Sequence, residues 1–471
     1  MIGIDPISGH GTILRSFFIL ILALGPSHLA TAAEKPNIVL IVADDLGRAD
    51  CGFMGGKVIR TPNLDRLAAK GAILDAHYVQ PVCSPTRAAL MTGRYPMRHG
   101  LQVGVVRPWA QYGLPLEERT IAQELKDLGY RTAIVGKWHL GHFRPEHLPT
   151  RRGFDHQYGH YNGAIDYFKH DRDGGFDWHR DDKVCHEEGY STHLIAKDAS
   201  KFVAENAGKS PFFLYVPFNA VHAPLQVPEK YKDPYGQLKP NRKSYAGMLA
   251  AMDEGVGQII EAVEKSGQAP NTLFVFTSDN GGPSPGVITN NGSYRAGKGT
   301  VYEGGVRVAA FATWPGKISP NSTIREPLHA VDWFPTLAGL AGADPARKLP
   351  NRLDGLDIWP VLSQGKPSPH NEILIQSSPS VGAIRMGDWK LVVHHGISDS
   401  EDTEAAPLAK KSVELYNLAD DPNEKTNIAG AEVDRTRSMR ARLDHYAKEA
   451  VPPKIKPKAK SFVTPKVWGE S

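Results

Sequence analysis

Five short apolar runs constrain this chain more than any other feature. They are PNIVLIVADD (36–45), RTAIVGKWH (131–139), PFFLYVPFNAVH (211–222), TLFVFTSDNGG (272–282) and AAFATWPG (309–316), and none alternates cleanly between apolar and polar residues. Strands that do not alternate are those covered on both faces. Helical patterns lie between them. TPNLDRLAAKG (61–71) offers Thr61 as N-cap, Pro62 at the first helical position and Gly71 as the stop, and TIAQELKDLG (120–129) has ends of the same kind. STHLIAKDASKFVAEN (191–206) and SYAGMLAAMDEGVGQIIEAVEKSG (244–267) read as longer helices. Strand and helix alternate, which predicts an α/β fold with a mainly parallel central sheet and helices on both of its faces.

The texture changes after SQGKPSPHNE, near residue 365. EILIQ, AIRMGDWKLVVHH and VELYNLADDPNEKTNIAG read as short strands of a smaller antiparallel sheet, followed by a helix near 430–448. The end of the chain, VPPKIKPKAKSFVTPK, is rich in Pro and Lys and is expected to order poorly. The organisation expected is therefore a leader over 1–33, an α/β domain over 34–365, a C-terminal α+β subdomain over 366–450 and a tail over 451–471.

The leader is a reading of the first residues. Arg15 precedes an apolar run from Phe17 to Leu24, and Ala30-Thr31-Ala32 resembles an A-x-A cleavage site. That is the layout of a secretory signal peptide, too short in its apolar part to span a bilayer comfortably. The mature chain is expected to be secreted or periplasmic, with no attachment to the membrane after cleavage. Lys+Arg 55 against Asp+Glu 51 is nearly balanced, so nothing points to nucleic acid. With three cysteines in 471 residues, disulfides are not the main stabiliser, although Cys51 and Cys185 could pair if Cys83 is otherwise engaged.

Each of the first four runs ends in polar residues: Asp44-Asp45, Lys137-Trp138-His139, Asn219 with His222, and Asp279-Asn280. Ligands of open parallel sheets bind at the carboxyl ends of strands. A single Asp there is often only a helix cap, but four such endings converge on one edge. Asp44, Asp45, Asp279 and Asn280 are hard oxygen donors, suited to Ca2+ or Mg2+ rather than zinc.

Cys83 opens Cys83-Ser84-Pro85-Thr86-Arg87, with Pro85 in the first turn of a helix and Arg87 one turn behind the cysteine. Backbone N–H groups at a helix N-terminus favour an anion, so this is a place for an oxyanion. The cysteine could be an activated thiolate, a buried structural thiol, or a precursor converted to another group.

The string Cys83-Ser84-Pro85-Thr86-Arg87, followed by Thr92-Gly93-Arg94, resembles the sulfatase signature C-x-P-x-R with its T-G-R extension. NIVLIVADDLGRADCGFMGG, GYRTAIVGKWHLG, NAVHAPLQVPEKY, TSDNGG, YRAGKGTVYEGGVRV and VELYNLADDPNEKTNIA resemble further blocks of that family, in order, from about Lys35 to about residue 445. TPNLDRLAAKGAILDAHYVQPVCSPTR and LPTRRGFDHQYGHYNGAIDYF are most similar to the arylsulfatase B group, whose known members act on N-acetylgalactosamine 4-sulfate.

The resemblance implies an alkaline-phosphatase-like fold and a sulfuric ester hydrolase. It implies that a formylglycine-generating enzyme oxidises Cys83 to formylglycine, whose hydrated gem-diol attacks sulfur and then expels sulfate. Asp44, Asp45, Asp279 and Asn280, with the modified Cys83, would hold one Ca2+ ion. Lys137 and Lys298 would contact the sulfate. His222 would protonate the departing alcohol, His139 would deprotonate the hemiacetal, and Arg87 would fix the diol and the metal ligands. The implied substrate is a sulfated small molecule or glycan. Two other readings stay open on the same fold: a phosphatase or phosphodiesterase, and a non-catalytic binder of sulfated glycans. The aromatic and His-rich stretch 154–180 is either a substrate-pocket lining or an ordinary surface insertion.

Overall fold

The computed structural model describes residues 9, 11, 35–396 and 410–470. The expected leader lies outside the described residues, apart from Gly9 and Gly11. Lys35–Ser471 forms one unit.

Four of the five apolar runs form adjacent parallel strands, and the fifth is their antiparallel neighbour. The ten-stranded sheet runs Ser322–Ile324, Ala72–Leu74, Ala310–Thr313, Thr272–Ser278, Asn37–Ala43, Phe212–Pro217, Arg131–Lys137, His156–His160, His179–Arg180, Lys183–Val184. The five strands from Thr272–Ser278 to His156–His160 are parallel. The sheet is mixed beyond them: Ala310–Thr313 is antiparallel to Thr272–Ser278, and His179–Arg180 to His156–His160.

Burial on both faces explains the lack of alternation. Val39 and Ile41 pack on one face with Leu194, Ile195 and Phe202 of the helix Ser191–Asn206 and with Leu249 and Ile259 of the helix Pro240–Lys265. Ile38 and Leu40 pack on the other with Leu90, Ile121 and Leu337, from the helices Cys83–Thr92, Ile121–Asp127 and Trp333–Leu340. Thr120 closes a capping box with Gln123, whereas Thr61 donates its hydroxyl to Asp65 Oδ1 at 2.9 Å instead of capping, and Lys70 rather than Gly71 ends that helix.

The C-terminal sheet is antiparallel throughout, in the order Ile373–Ser377, Val381–Met386, Trp389–His394, Ser412–Asn417. The helix Val433–Glu449 covers it through Met439, Leu443 and Tyr446. Between this sheet and the segment after Lys298, the fully buried Lys390 ammonium lies 2.8 Å from both Glu303 Oε1 and Glu424 Oε1.

Two expectations are corrected. The Pro- and Lys-rich tail is docked rather than loose: Val451 N–H donates to Met97 O at 2.9 Å, Lys454 N–H to Gly100 O at 2.8 Å, and Trp468 is only 2% exposed. Its composition cannot build a core of its own, but its backbone groups and one tryptophan find partners on loops supplied by the larger part of the chain. Of the two readings of 154–180, burial speaks against an ordinary surface insertion: Tyr158, Tyr161, Tyr167 and Trp178 are all at most 1% exposed. Cys51, Cys83 and Cys185 are all free thiols, so Cys51 and Cys185 do not pair. Among the described residues, no helix is long and apolar enough to cross a membrane.

Candidate active site

The register of the parallel strands brings the polar endings to one edge. Ala43 is level with Ser278, Val42 with Pro217, and Lys137 with His160. The next residues turn away sharply. Asp45 and His139 both adopt left-handed backbone (φ 61° and 59°), a conformation that costs a non-glycine residue of order 1 kcal/mol and clusters at functional sites.

Cys83 is the first residue of the helix Cys83–Thr92, and its Sγ lies 3.6 Å from Asp44 Oδ1. Asp44, Asp45, Cys83 and His222 each offer a ligand atom, and these atoms all lie within 4.8 Å of one another. Asp279 and Asn280 abut this group through Asp45. Asp279 Oδ1 accepts from Asp45 N–H at 3.3 Å, and Asn280 Nδ2 donates to Asp45 Oδ1 at 2.8 Å. Three cations balance the carboxylates. Arg87 donates from Nε and Nη2 to Asp279 Oδ2 at 3.1 and 2.8 Å, Lys137 Nζ binds Asp44 Oδ2, and Lys298 Nζ lies 2.8 Å from Asp45 Oδ1.

The donor set suits a cation. It is dominated by carboxylate oxygens, and the buried Asn280 Oδ1 has no hydrogen-bond partner among the described residues. His222 joins the group although the hard-oxygen reading did not include it: its Nε2 lies 3.6 Å from Asp45 Oδ2.

Electrostatics follow from burial. Desolvation pushes Asp44 toward its neutral form, yet Lys137, His222, Arg87 and Lys298 overcome it and hold the carboxyl well below the usual range. Burial, with the Asp279 and Asp44 charges, raises the Cys83 thiol far from ionisation. That environment disfavours an activated thiolate, whose sites are electropositive and partly open. Burial, Lys137 and Arg87 keep His139 neutral. Burial and Lys298 also lower His222, opposed by Asp45 and Asp44.

Some residues around the site carried no signal that motif reading could weigh. Ser84 Oγ donates to His139 O at 2.9 Å and accepts from Val106 N–H at 3.0 Å, so it joins two loops. His139 Nε2 lies 3.1 Å from Val106 O, and its buried Nδ1 has no partner among the described residues. Tyr167 donates its hydroxyl to Asn219 O at 2.6 Å and His222 O at 2.8 Å, which fixes the His222 loop. Asn219 itself turns away and donates to Ser191 Oγ. Gly281 has a clear reason: a Cβ there would sit 1.8 Å from Gly304 O, so only glycine lets the Asp279 loop approach the Lys298 loop.

The Sulfatase family model matches residues 36–343. Arylsulfatase J of Mus musculus is 34% identical, over 94% of this chain and 81% of its own length. Arylsulfatase A of Homo sapiens is 35% identical, over 87% and 86%. N-acetylgalactosamine-6-sulfatase of Mus musculus is 33% identical, over 80% and 76%. Among solved structures, Ps i-CgsB in complex with k-i-k-neocarrahexaose aligns with a TM-score of 0.80 at 34% identity, covering 89% of this chain and 94% of that one. A phosphonate monoester hydrolase of Agrobacterium radiobacter shares the fold at a TM-score of 0.62 and 22% identity, covering 88% and 95%.

Proposed function

The chain belongs to the sulfatase family and is a sulfuric ester hydrolase, and from that premise we propose that it acts on a sulfated carbohydrate through a formylglycine made from Cys83 and one bound Ca2+ ion. The observation that carries this reading is the group of buried Asp44, Asp45 and Cys83 with half-buried His222, whose ligand atoms lie within 4.8 Å of one another and which three cations surround.

Asp44, Asp45, Asp279 and Asn280, with the side chain at position 83, would hold the ion, whose charge would neutralise sulfate oxygens. The aldehyde hydrate would supply the nucleophile and, through its second hydroxyl, a route for releasing sulfate. The chain's own residues do the rest. Arg87 crosslinks Asp44 and Asp279 and so sets the distance between two strand ends. Lys137 and Lys298 place ammonium groups where sulfate charge grows. His222 donates Nδ1–H to Ala223 O at 2.6 Å, so Nε2 can protonate the departing alcohol only when the ring is in its imidazolium form. Burial and Lys298 disfavour that form, and the Asp45 and Asp44 charges favour it. His139, kept neutral, is available as a base for the release step.

The choice of carbohydrate rests on relatives: one is named for N-acetylgalactosamine 6-sulfate, and one structure holds a neocarrahexaose. Sulfated N-acetylgalactosamine is therefore a candidate substrate. A secretory leader over 1–33 would carry the enzyme out of the cytoplasm, with a formylglycine-generating enzyme acting on Cys83 during maturation. Mass spectrometry of the tryptic peptide carrying Cys83, from a host with that enzyme, tests the mechanism. A loss of about 18 Da is expected; an unmodified thiol overturns it.

A further inference from the structure

The docked tail carries charge that the reaction does not use. Between Lys454 and Lys466 it has five lysines and no acidic residue, in a chain whose formal charge is only +4 overall. Its course is specific. Val451 pairs with Met97, Lys454 with Gly100, and Lys456 O accepts from Trp109 Nε1 at 3.4 Å. Ile455 packs so closely on Gly104 that a Cβ there would lie 2.6 Å from Ile455 Cδ1. The tail therefore runs beside residues 97–109 and in the same direction.

That direction leads to the site. Val106 O lies 3.1 Å from His139 Nε2, Val106 N–H donates to Ser84 Oγ beside Cys83, and Pro108 O lies 3.0 Å from His142 Nε2. Trp109 follows three residues after Val106, which bounds its backbone to within about 11 Å of the residue that touches His139. Around the Trp109 ring stand Arg107 at 5.8 Å and Lys458 at 5.6 Å, with exposed Lys456 and Lys460 on either side of Lys458. The tail is secured beyond this point too, by Phe176 N–H on Lys466 O at 2.8 Å and by Trp468 against His142.

We propose that Arg107, Lys456, Lys458 and Lys460 form a cationic strip, with Trp109 at its centre, that binds further sulfate groups of the same carbohydrate chain whose terminal or neighbouring sulfate sits at Cys83. The preferred substrate is then a multiply sulfated polysaccharide rather than a lone ester; this rests on the sulfate ester reading above. Exposed ammonium groups raise the local concentration of a polyanion, and Arg107 and Lys458 both gather over the Trp109 ring.

The test is competition against para-nitrophenyl sulfate hydrolysis, using the full matured chain, with dextran sulfate as the polyanion and inorganic sulfate as the single anion. Dextran sulfate is expected to inhibit far more strongly per sulfate, and its inhibition constant should rise about tenfold in the K456Q/K458Q/K460Q variant and also on raising NaCl. The K456R/K458R/K460R variant should keep the wild-type value, and the ratio of dextran sulfate to inorganic sulfate inhibition should separate the strip from the site. If the glutamine variant holds dextran sulfate as tightly as the wild type, the strip is overturned while the sulfatase reading stands. If the wild type does not hydrolyse para-nitrophenyl sulfate at all, the reading beneath it is overturned instead.

Discussion

Arg87 Nη2 lies 2.8 Å from Asp279 Oδ2, and neither side chain has any solvent exposure. The same guanidinium reaches Asp44 Oδ2 at 3.4 Å and the Lys137 carbonyl at 3.0 Å. One side chain thus ties three strand ends together. Removing it would leave Asp279 buried without its main counter-charge. Arg87→Met is expected to cost about 3–5 kcal/mol of stability, read from urea unfolding. Arg87→Lys should also be damaging, because an ammonium cannot reproduce the fork. A loss under about 1 kcal/mol for the methionine variant would show that the pair does not organise the edge.

Lys298 is held on Asp45 but keeps 23% of its side chain open. Its removal should therefore spare folding and act on the reaction. Lys298→Ala is expected to lower kcat about 100- to 1,000-fold on para-nitrophenyl sulfate, the range for losing one preorganised charge stabiliser. Unfolding curves that match the wild type must accompany that loss. An equal loss of stability would point to a structural role.

Chelation tests the cation. Overnight treatment with EGTA should abolish hydrolysis, and added Ca2+ should restore it. The thermal midpoint should rise with Ca2+ concentration, since a ligand bound only by the folded state stabilises it by mass action. Asn280→Ala removes the buried acceptor Oδ1 and should shift that midpoint titration to higher Ca2+. A midpoint indifferent to Ca2+ would argue against a resident ion.

The third histidine of interest is far from the chemistry. Burial alone would weaken protonation of His156, but hydrogen bonds to Asp181 at 3.0 Å and Asp198 at 2.7 Å overcome it and raise its pKa to about 9. The folded value lies above the ordinary 6.5, so this contribution is complete below about pH 6.5 and is lost as pH rises through about 9. Asp181 is half exposed and screened, which reduces the effect to about 1–2 kcal/mol. Unfolding free energy should decline by that amount between neutral and alkaline pH, and the decline should vanish in His156→Gln.

Much of the architecture could be read from local pattern. The strands Asn37–Ala43, Arg131–Lys137, Phe212–Pro217 and Thr272–Ser278 are apolar throughout because both faces are covered, and each visibly ends in polar residues. The helix Ser191–Asn206 has the bounds its apolar spacing predicts. Short strands such as Ala72–Leu74 and Lys183–Val184 were not legible, being two or three residues long and formed only because a neighbour offers free backbone groups.

For the site, sequence by itself determined which chemical groups stand at the strand ends: acidic residues, two lysines, two histidines and a cysteine opening a helix. That much is set by covalent order and strand period. Only the tertiary structure decided who meets whom. Lys137 meets Asp44 across 93 residues, Lys298 meets Asp45 across 253, and Ser84 joins the loops of His139 and Val106. It also turned a lysine-rich tail, whose composition predicts disorder, into a strip lying along residues 97–109. Such pairings depend on register between strands and on surfaces contributed by distant segments, and local propensity carries no record of either.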